Sequence, residues 1–418
     1  MSNGEVLVAL LGAGREQLPA LRSARSLGLK VVALDGQATA PGLKEADQSF
    51  VLDLSDEAEV IELLAKSGIS AVIPAPIGRM LTTVGAVNDA LGLRGTSAEA
   101  ARACVDKARF DRVAREAGLR RPHQKVVRNR VELLAAVQRL RPCIVKPSHG
   151  SGSRGVVAIG NDSDASPLLA RHLDALPPGQ LSIVEEEVVG REVGIDGFVD
   201  DGRVHVLLVR DKVLTPRPAR QELAFAAPAP LTTRQTEQVE SVLQQFVTAI
   251  GLQMAPIHAD VILCSDGPPV IIEAAPRPSG MFLSDAMVPA VCGIDFLGDS
   301  LRAVLGRAPA KAVRPQSSAA VLRMLPGSTD REAARNSQEW TDMAASLPGV
   351  LAVWPPTHPQ SSHSVASAAG VMDRGLLLVG ASTVSEAWSR SDAALAALKS
   401  LDEPVHNIET EVPHAHQR

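Results

Sequence analysis

Over its first 95 residues the chain alternates short apolar runs with helix-periodic segments, and few folds accept that rhythm. Val6-Leu7-Val8-Ala9-Leu10-Leu11 is long enough for a strand buried on both faces and too short for a buried helix. The turn Gly12-Ala13-Gly14 follows, and Gln17 to Leu27 has helical spacing. Val31-Val32-Ala33-Leu34-Asp35 and Ser49-Phe50-Val51-Leu52-Asp53 repeat the strand pattern, then come a helix from Asp56 to Ser67 and the strand Ala71-Val72-Ile73-Pro74. Strands separated by helices predict a parallel sheet, because a helical crossover returns the chain to the same end of the sheet. Gly12-Ala13-Gly14 with Asp35 closing the second strand also matches part of a dinucleotide fingerprint. Gln17 stands where that fingerprint needs its third glycine, so a plain α/β domain is the preferred reading.

With 418 residues the chain has room for two or three domains. Its 45% hydrophobic and 21% charged content is that of a soluble globular protein. A net charge of −5 argues against a nucleic acid or an anionic membrane as the main partner. No apolar run reaches the ~18 residues needed to span a bilayer, and Met1-Ser2-Asn3-Gly4-Glu5 lacks the basic segment of a secretion signal. The expected location is cytoplasmic. Cys104, Cys143, Cys264 and Cys292 form no C-x-x-C pair and read as small apolar residues in a reducing compartment.

Further along, a helix is expected around Ser97 to Ala117, carrying Asp106-Lys107. Residues 125–200 read as strands and hairpins, and residues 231–250 as an amphipathic helix after Pro228-Ala229-Pro230. Two strands flank Ser265-Asp266-Gly267, a strong hairpin signal. A new segment begins near residue 315 with Ala319-Ala320-Val321-Leu322-Arg323-Met324 and ends with Gly370 to Ala381 and a helix from Ser385 to Lys399. The polar tail holds His406, His414 and His416, which make no convincing ligand constellation, so a frayed tail is the preferred reading over a metal site.

The chemistry is concentrated in a few places. Ile144-Val145-Lys146 is an apolar strand closed by a cation, and Pro147-Ser148-His149-Gly150-Ser151-Gly152-Ser153-Arg154-Gly155 follows at once. Glycine leaves backbone N–H groups open to close approach, so such a loop suits phosphate oxygens. A lysine at a strand end also serves simply to carry its charge to solvent, as does Lys107 on a helix. Ile183-Val184-Glu185-Glu186-Glu187-Val188 places three acids behind a strand, either as a solvated edge or as a hinge that accepts from an exocyclic amine, with Glu192 reaching a ribose. Asp260 and Glu273 lie 13 residues apart on the two arms of the Asp266-Gly267 hairpin, where two carboxylates can converge on a hard cation. Arg277 follows four residues after Glu273 and offers a fixed fork to phosphoryl or carboxylate oxygens. Strand alternation places His258 on the face of Asp260.

Taken in order, Lys107, Lys146 with its glycine loop, the acidic hinge, Asp260, and Glu273 with Arg277 resemble the ATP-grasp superfamily over roughly residues 5–310. The resemblance implies an N-terminal parallel-sheet domain (1–95), a central α+β ATP-grasp domain (96–312, with a lid at about 122–192), a small C-terminal α+β domain (313–401) and a flexible tail (402–418). It implies an ADP-forming ligase that joins a small-molecule carboxylate to an amine through an acyl-phosphate, with ATP and Mg²⁺, or alternatively Mn²⁺, and a homodimer as the common assembly. By motif match Lys107 and Lys146 hold ATP phosphates beneath Ser151, Gly152 and Ser153. Glu185, Glu186 and Val188 meet adenine, and Glu192 the ribose. Asp260 and Glu273 hold the metal, Arg277 steadies the acyl-phosphate, and Ser279 and Gly280 line the substrate end.

Within the superfamily, Asp211-Lys212-Val213-Leu214 leading to Arg220-Gln221-Glu222-Leu223-Ala224-Phe225 is similar to the L-amino-acid ligase (dipeptide synthetase) branch. That likeness makes Glu222 a candidate for a substrate amino group, and His258 a candidate substrate contact beside its reading as a structural histidine. Biotin-carboxylase-like and purine-pathway enzymes are the alternatives. The sequence departs from the family's acid-x-Asn-x-Arg pattern at Ala275, which supplies no oxygen, and Asp260 replaces the commoner glutamate. The first departure keeps a non-catalytic ATP-binding regulatory protein among the readings.

Overall fold

A computed structural model describes residues 5–150, 155–176, 179–218, 220–325, 337–355 and 375–402. The N-terminal strands β1 (Leu7–Leu11), β2 (Lys30–Asp35), β3 (Gln48–Val51) and β4 (Ala71–Val72) form a parallel sheet in the order β3-β2-β1-β4. Its central strands are buried on both faces, as continuous apolar runs require. Asp35 does not await a dinucleotide ribose. Its Oδ2 accepts from the Ala13 N–H at 2.7 Å and its Oδ1 from the Gln37 N–H at 2.8 Å, so the acid fixes the glycine turn.

The helix expected over 97–117 is two helices, Ala98–Val105 and Lys107–Glu116. Asp106 breaks them: its backbone is extended (φ −90°, ψ 109°), and its carboxylate accepts from the N–H groups of Ala108 and Arg109. An aspartate N-cap outcompetes helical continuation here and puts Lys107 at a helix start.

Residues 125–200 also differ from the expectation of strands and hairpins alone. The strands β5 (Gln124–Val127), β6 (Cys143–Pro147), β7 (Val157–Ile159) and β8 (Ser182–Glu186) make an antiparallel sheet, β5-β8-β6-β7. Two helices, Arg130–Leu140 and Ala165–Asp174, are inserted between them, capped by Asn129 and Asp164. Leu133, Ala136, Val137 and Leu169 of these helices share a core with Cys143, Val145 and Val184 of the strands. Single caps and three- to four-residue spacing carried this signal; the dense glycine loop between them masked it.

The central sheet has eight antiparallel strands. They are β9 (Arg191–Asp200), β10 (Arg203–Leu214), β11 (Glu222–Ala227), β12 (Ala255–Leu263), β13 (Val270–Ala275), β14 (Ala319–Met324), β15 (Val350–Trp354) and β16 (Leu376–Ala381). Their order is β13-β12-β9-β10-β11-β14-β16-β15. The C-terminal strands thus extend the sheet through the β11–β14 pair, Ala224 facing Arg323 and Ala227 facing Ala320. β15 had a readable signal, the apolar run Val350–Trp354 between Gly349 and Pro355, which the sequence reading did not single out, nor did it single out the helix Ser337–Ser346. The C-terminal helix runs Val384–Asp402, and residues 403–418 with their three histidines lie outside the described residues.

The period of two decides what each face of this sheet holds. Val193, Ile195, Ala259 and Val261 point into a core with Val239, Leu243, Phe246 and Val247 of the helix Thr233–Ala249. A capping box between Thr232 and Gln235 starts that helix. Glu192, Gly194, Asp196, His258 and Asp260 occupy the intervening positions and belong to the opposite face. Among the described residues no helix is long and apolar enough to cross a membrane, and all four cysteines are unpaired.

Candidate active site

A cleft of about 560 Å³ separates that polar face from the four-stranded β5–β8 sheet and the N-terminal domain. Glu16 and Ile77 line it from the N-terminal domain, Lys146 and Glu185 from the smaller sheet, and Asp260 and Arg277 from the central sheet.

At the smaller sheet, Lys146 on β6 and Glu185 on β8 are both buried, with Nζ 2.6 Å from Oε1. Glu185 Oε2 is buried and has no hydrogen-bond partner among the described residues, so it can accept from a donor entering the cleft. The Glu186 N–H donates to the His123 carbonyl at 2.8 Å, while Val188 lies beyond the strand end on the cleft wall. Lys107 donates from Nζ to the Gly150 carbonyl at 2.8 Å. Burial pushes its pKa down, the nearby Lys146 adds to this, and Glu273 opposes it. The far end of the glycine loop is tied by His172, whose Nδ1 lies 2.6 Å from the Gly155 carbonyl and whose Nε2 lies 2.8 Å from Ser182 Oγ. Ser151, Gly152 and Ser153 lie outside the described residues.

A buried ammonium organises the central sheet. Lys212 on β10, with a side chain only 3% exposed, lies 2.8 Å from Glu192 (β9), 3.3 Å from Glu222 (β11) and 2.9 Å from Asp260 (β12). Burial alone would lower the Lys212 pKa, but the three carboxylates outweigh it and raise it above its ordinary value. In return, burial would raise Asp260, but Lys212 overrides it and holds that carboxyl at about 2. Glu192 is further engaged by Arg220 Nη2 at 2.7 Å from Oε2, so both its oxygens face cations. The acid expected to meet a ribose is therefore already part of an ion cluster, and Glu222, expected to meet a substrate amine, shares the same lysine.

Asp260 and Glu273 are register partners across the β12–β13 hairpin. Asp260 Oδ1 is buried with no hydrogen-bond partner among the described residues, and Glu273 makes no ion pair among them. This orphaned oxygen beside a second carboxylate fits a hard divalent cation that takes its remaining ligands from phosphate and water. Ala275 packs with Leu81 and Ala101, so apolar contact occupies the place of a third protein oxygen. Among the described residues no group of three or more potential ligands converges.

Arg277 lines the cleft and forms no ion pair among the described residues; its Nη1 donates to the Pro278 carbonyl at 2.7 Å. Ser279 is buried, and its carbonyl accepts from Ser284 Oγ. Beside it Gly280 leaves room for Glu16, because a Cβ there would lie 2.7 Å from Glu16 Oε1. Glu16 accepts from the Met281 N–H at 2.6 Å and so joins the N-terminal domain to this loop. Met281 and Phe282 both adopt positive φ, 57° and 56°, a left-handed conformation that side chains disfavour.

Sequence reasoning assigned no role to Lys212, Arg210, Asp196, Arg220 or Glu16. Alternation along β10 places Arg210 and Lys212 on one face, a signal that was available. Glu16 carried none, since its partner is 265 residues away.

Residues 140–285 match the model of the ATP-grasp domain. The chain carries an ATP-grasp domain. An uncharacterised protein of Sinorhizobium fredii is 28% identical over 300 residues, covering 69% of this chain and 60% of its own length. A formate-dependent phosphoribosylglycinamide formyltransferase of Stenotrophomonas maltophilia is 30% identical over 170 residues, covering 40% and 43%. The chain thus spans about half the length of these curated relatives. In fold, the ATP-grasp chain is similar to an L-amino acid ligase from Bacillus licheniformis (TM-score 0.74, 19% identity, covering 96% of this chain and 98% of that one). It is also similar to a carboxyaminoimidazole ribonucleotide synthase of Aspergillus clavatus in complex with ATP (TM-score 0.73, 18% identity, 95% and 99%).

Proposed function

We propose that this protein is an ADP-forming carboxylate–amine ligase whose carboxylate substrate is an amino acid or a related acid. The observation that carries the reading is the pairing of Asp260 and Glu273, with one orphaned carboxylate oxygen, beside the unpaired Arg277 in a cleft that also holds Lys107 and Lys146. That set matches a triphosphate and the carboxylate that attacks it.

ATP would lie between the smaller sheet and the central sheet, with adenine at Glu185, Glu186 and Val188 and phosphates at Lys107 and Lys146. A divalent cation held by Asp260 and Glu273 would supply charge neutralisation at the phosphates. The substrate carboxylate attacks the γ-phosphorus, the bond to the bridging oxygen breaks, and ADP leaves. The amine then attacks the acyl carbon, inorganic phosphate departs, and the amine gives up a proton. Arg277 steadies the acyl-phosphate throughout. The protein contributes position and opposing charge rather than a nucleophile. Glu16 and Glu222 give the substrate end acidic groups suited to an ammonium, and the cleft has room for an amino acid beside the nucleotide.

The test is ADP and phosphate release over pairs of amino acids, with mass spectrometry of the product. An amide formed at one phosphate per turnover is the expected result. Turnover that requires bicarbonate, or a phosphorylated amine, would move the protein to the carboxylase or purine-pathway readings. Tight ATP binding with no turnover over the whole panel would overturn the ligase reading in favour of a regulatory ATP-binding protein.

A further inference from the structure

Beneath the substrate end of the cleft, three side chains form a chain across three neighbouring strands. Asp196 on β9 is bonded to Arg210 Nη1 on β10, and Arg210 Nη2 lies 3.2 Å from His258 Nδ1 on β12. Arg210 and Asp196 are each 1% exposed. The guanidinium reaches His258 by crossing β9 at Gly194, where a Cβ would lie 2.9 Å from its Cζ, Nε and Nη2. The Phe225 ring on β11 lies 5.6 Å from the guanidinium carbon. Glycine beneath, aspartate at one end and an aromatic ring nearby hold this arginine in one place.

The consequence is for the imidazole. A guanidinium has donors only. With Arg210 Nη2–H directed at Nδ1, that nitrogen must accept, and it carries no proton. The remaining ring proton then sits on Nε2, which has no partner among the described residues on a side chain that lines the cleft. We propose that Arg210 is a positioning residue that fixes His258 as the Nε2–H tautomer, a pre-aimed hydrogen-bond donor for a negatively charged oxygen of the bound substrate or acyl-phosphate. His258 is thereby a donor to developing negative charge and not a base for the incoming amine. Only the identity of that oxygen rests on the ligase reading.

The tautomer is read directly by long-range proton–nitrogen correlation on protein labelled with ¹⁵N-histidine, with His258 assigned from the signals lost in His258→Gln. A neutral ring protonated at Nε2 is expected in the intact protein. In Arg210→Met the Nδ1–H form should appear, because the donor that excluded it is gone. Should the methionine chain fail to fold, the tautomer of the intact protein and the His258 variants carry the test. An Nδ1–H ring, or one protonated on both nitrogens, in the unaltered protein overturns the proposal. A turnover comparison adds a second reading, since glutamine can place an N–H near Nε2 whereas asparagine reaches only to Nδ1. His258→Gln should keep kcat within about tenfold, and His258→Asn should lose about a hundredfold, the usual scale for one oxyanion donor. The reverse order also overturns it. The tautomer measurement needs no turnover, so a correct tautomer in a protein without ligase activity would refute the proposed function alone.

Discussion

Lys212→Met tests the electrostatic design of the central sheet most directly. The substitution keeps an unbranched apolar stem and removes one ammonium from between Glu192, Glu222 and Asp260, at 2.8, 3.3 and 2.9 Å. With Lys212 only 3% exposed, water cannot take the ammonium's place without rearrangement. Removing one partner of a buried ion pair costs about 3–5 kcal/mol. At roughly 2 °C per kcal/mol for a large domain, Tm at pH 7 should fall by roughly 6–10 °C. The pH dependence has a definite sign. In the unaltered protein Asp260 is held at about 2, below its ordinary 3.8, so its share of stability is present above pH 4 and is lost as pH falls toward 2. In Lys212→Met, burial acts on Asp260 without its main opponent, and its pKa rises. The variant's deficit should therefore be largest near neutrality and shrink on acidification. The assay is thermal unfolding from pH 4 to 8 in chelator, with Lys212→Met/Asp260→Asn as a partial rescue. A Tm within 1 °C of the parent at pH 7, or a deficit that grows on acidification, refutes the reasoning.

Three further outcomes follow from the same geometry. Glu273→Ala should abolish divalent-cation-dependent ADP release while circular dichroism and Tm stay near the parent; near-normal turnover would remove Glu273 from the metal set. Lys146→Met should leave Glu185 buried without its ammonium, costing about 3–5 kcal/mol in unfolding measurements and weakening ATP binding by calorimetry. Asp35→Ala should free the N–H groups of Ala13 and Gln37 and destabilise the protein by roughly 2 kcal/mol, with no change in NAD affinity because Asp35 serves the turn.

What was legible in the chain had a local physical signature. β1 and β2 are continuous apolar runs, and the structure places them and the exposed edge strand β3 within one or two residues of their sequence limits. Asp266-Gly267 marked the β12–β13 hairpin, and its register sets Asp260 opposite Glu273. The two-helix break at Asp106 was less visible, because a cap and a helix-interior aspartate look alike until the backbone turns. The helices Arg130–Leu140 and Ala165–Asp174 were masked by the glycine-rich stretch that lies between them. Glu192 was readable as an acid near a strand start, but its partners Lys212 and Arg220 lie 20 and 28 residues away.

By itself, then, the sequence determined the parallel N-terminal sheet, the β12–β13 hairpin and the pair of facing carboxylates. Each of these follows from spacing over a few residues or from one turn. Only the tertiary structure decided which charges neutralise one another. Sheet order sets β12 beside β9 and not beside β11, the strand it follows in the chain. Lys212 therefore meets three acids from three strands, and Gly194 opens the path by which Arg210 reaches His258. Burial then turns those contacts into strong ones, since charges that cannot be solvated by water must be satisfied by neighbours that only the fold supplies.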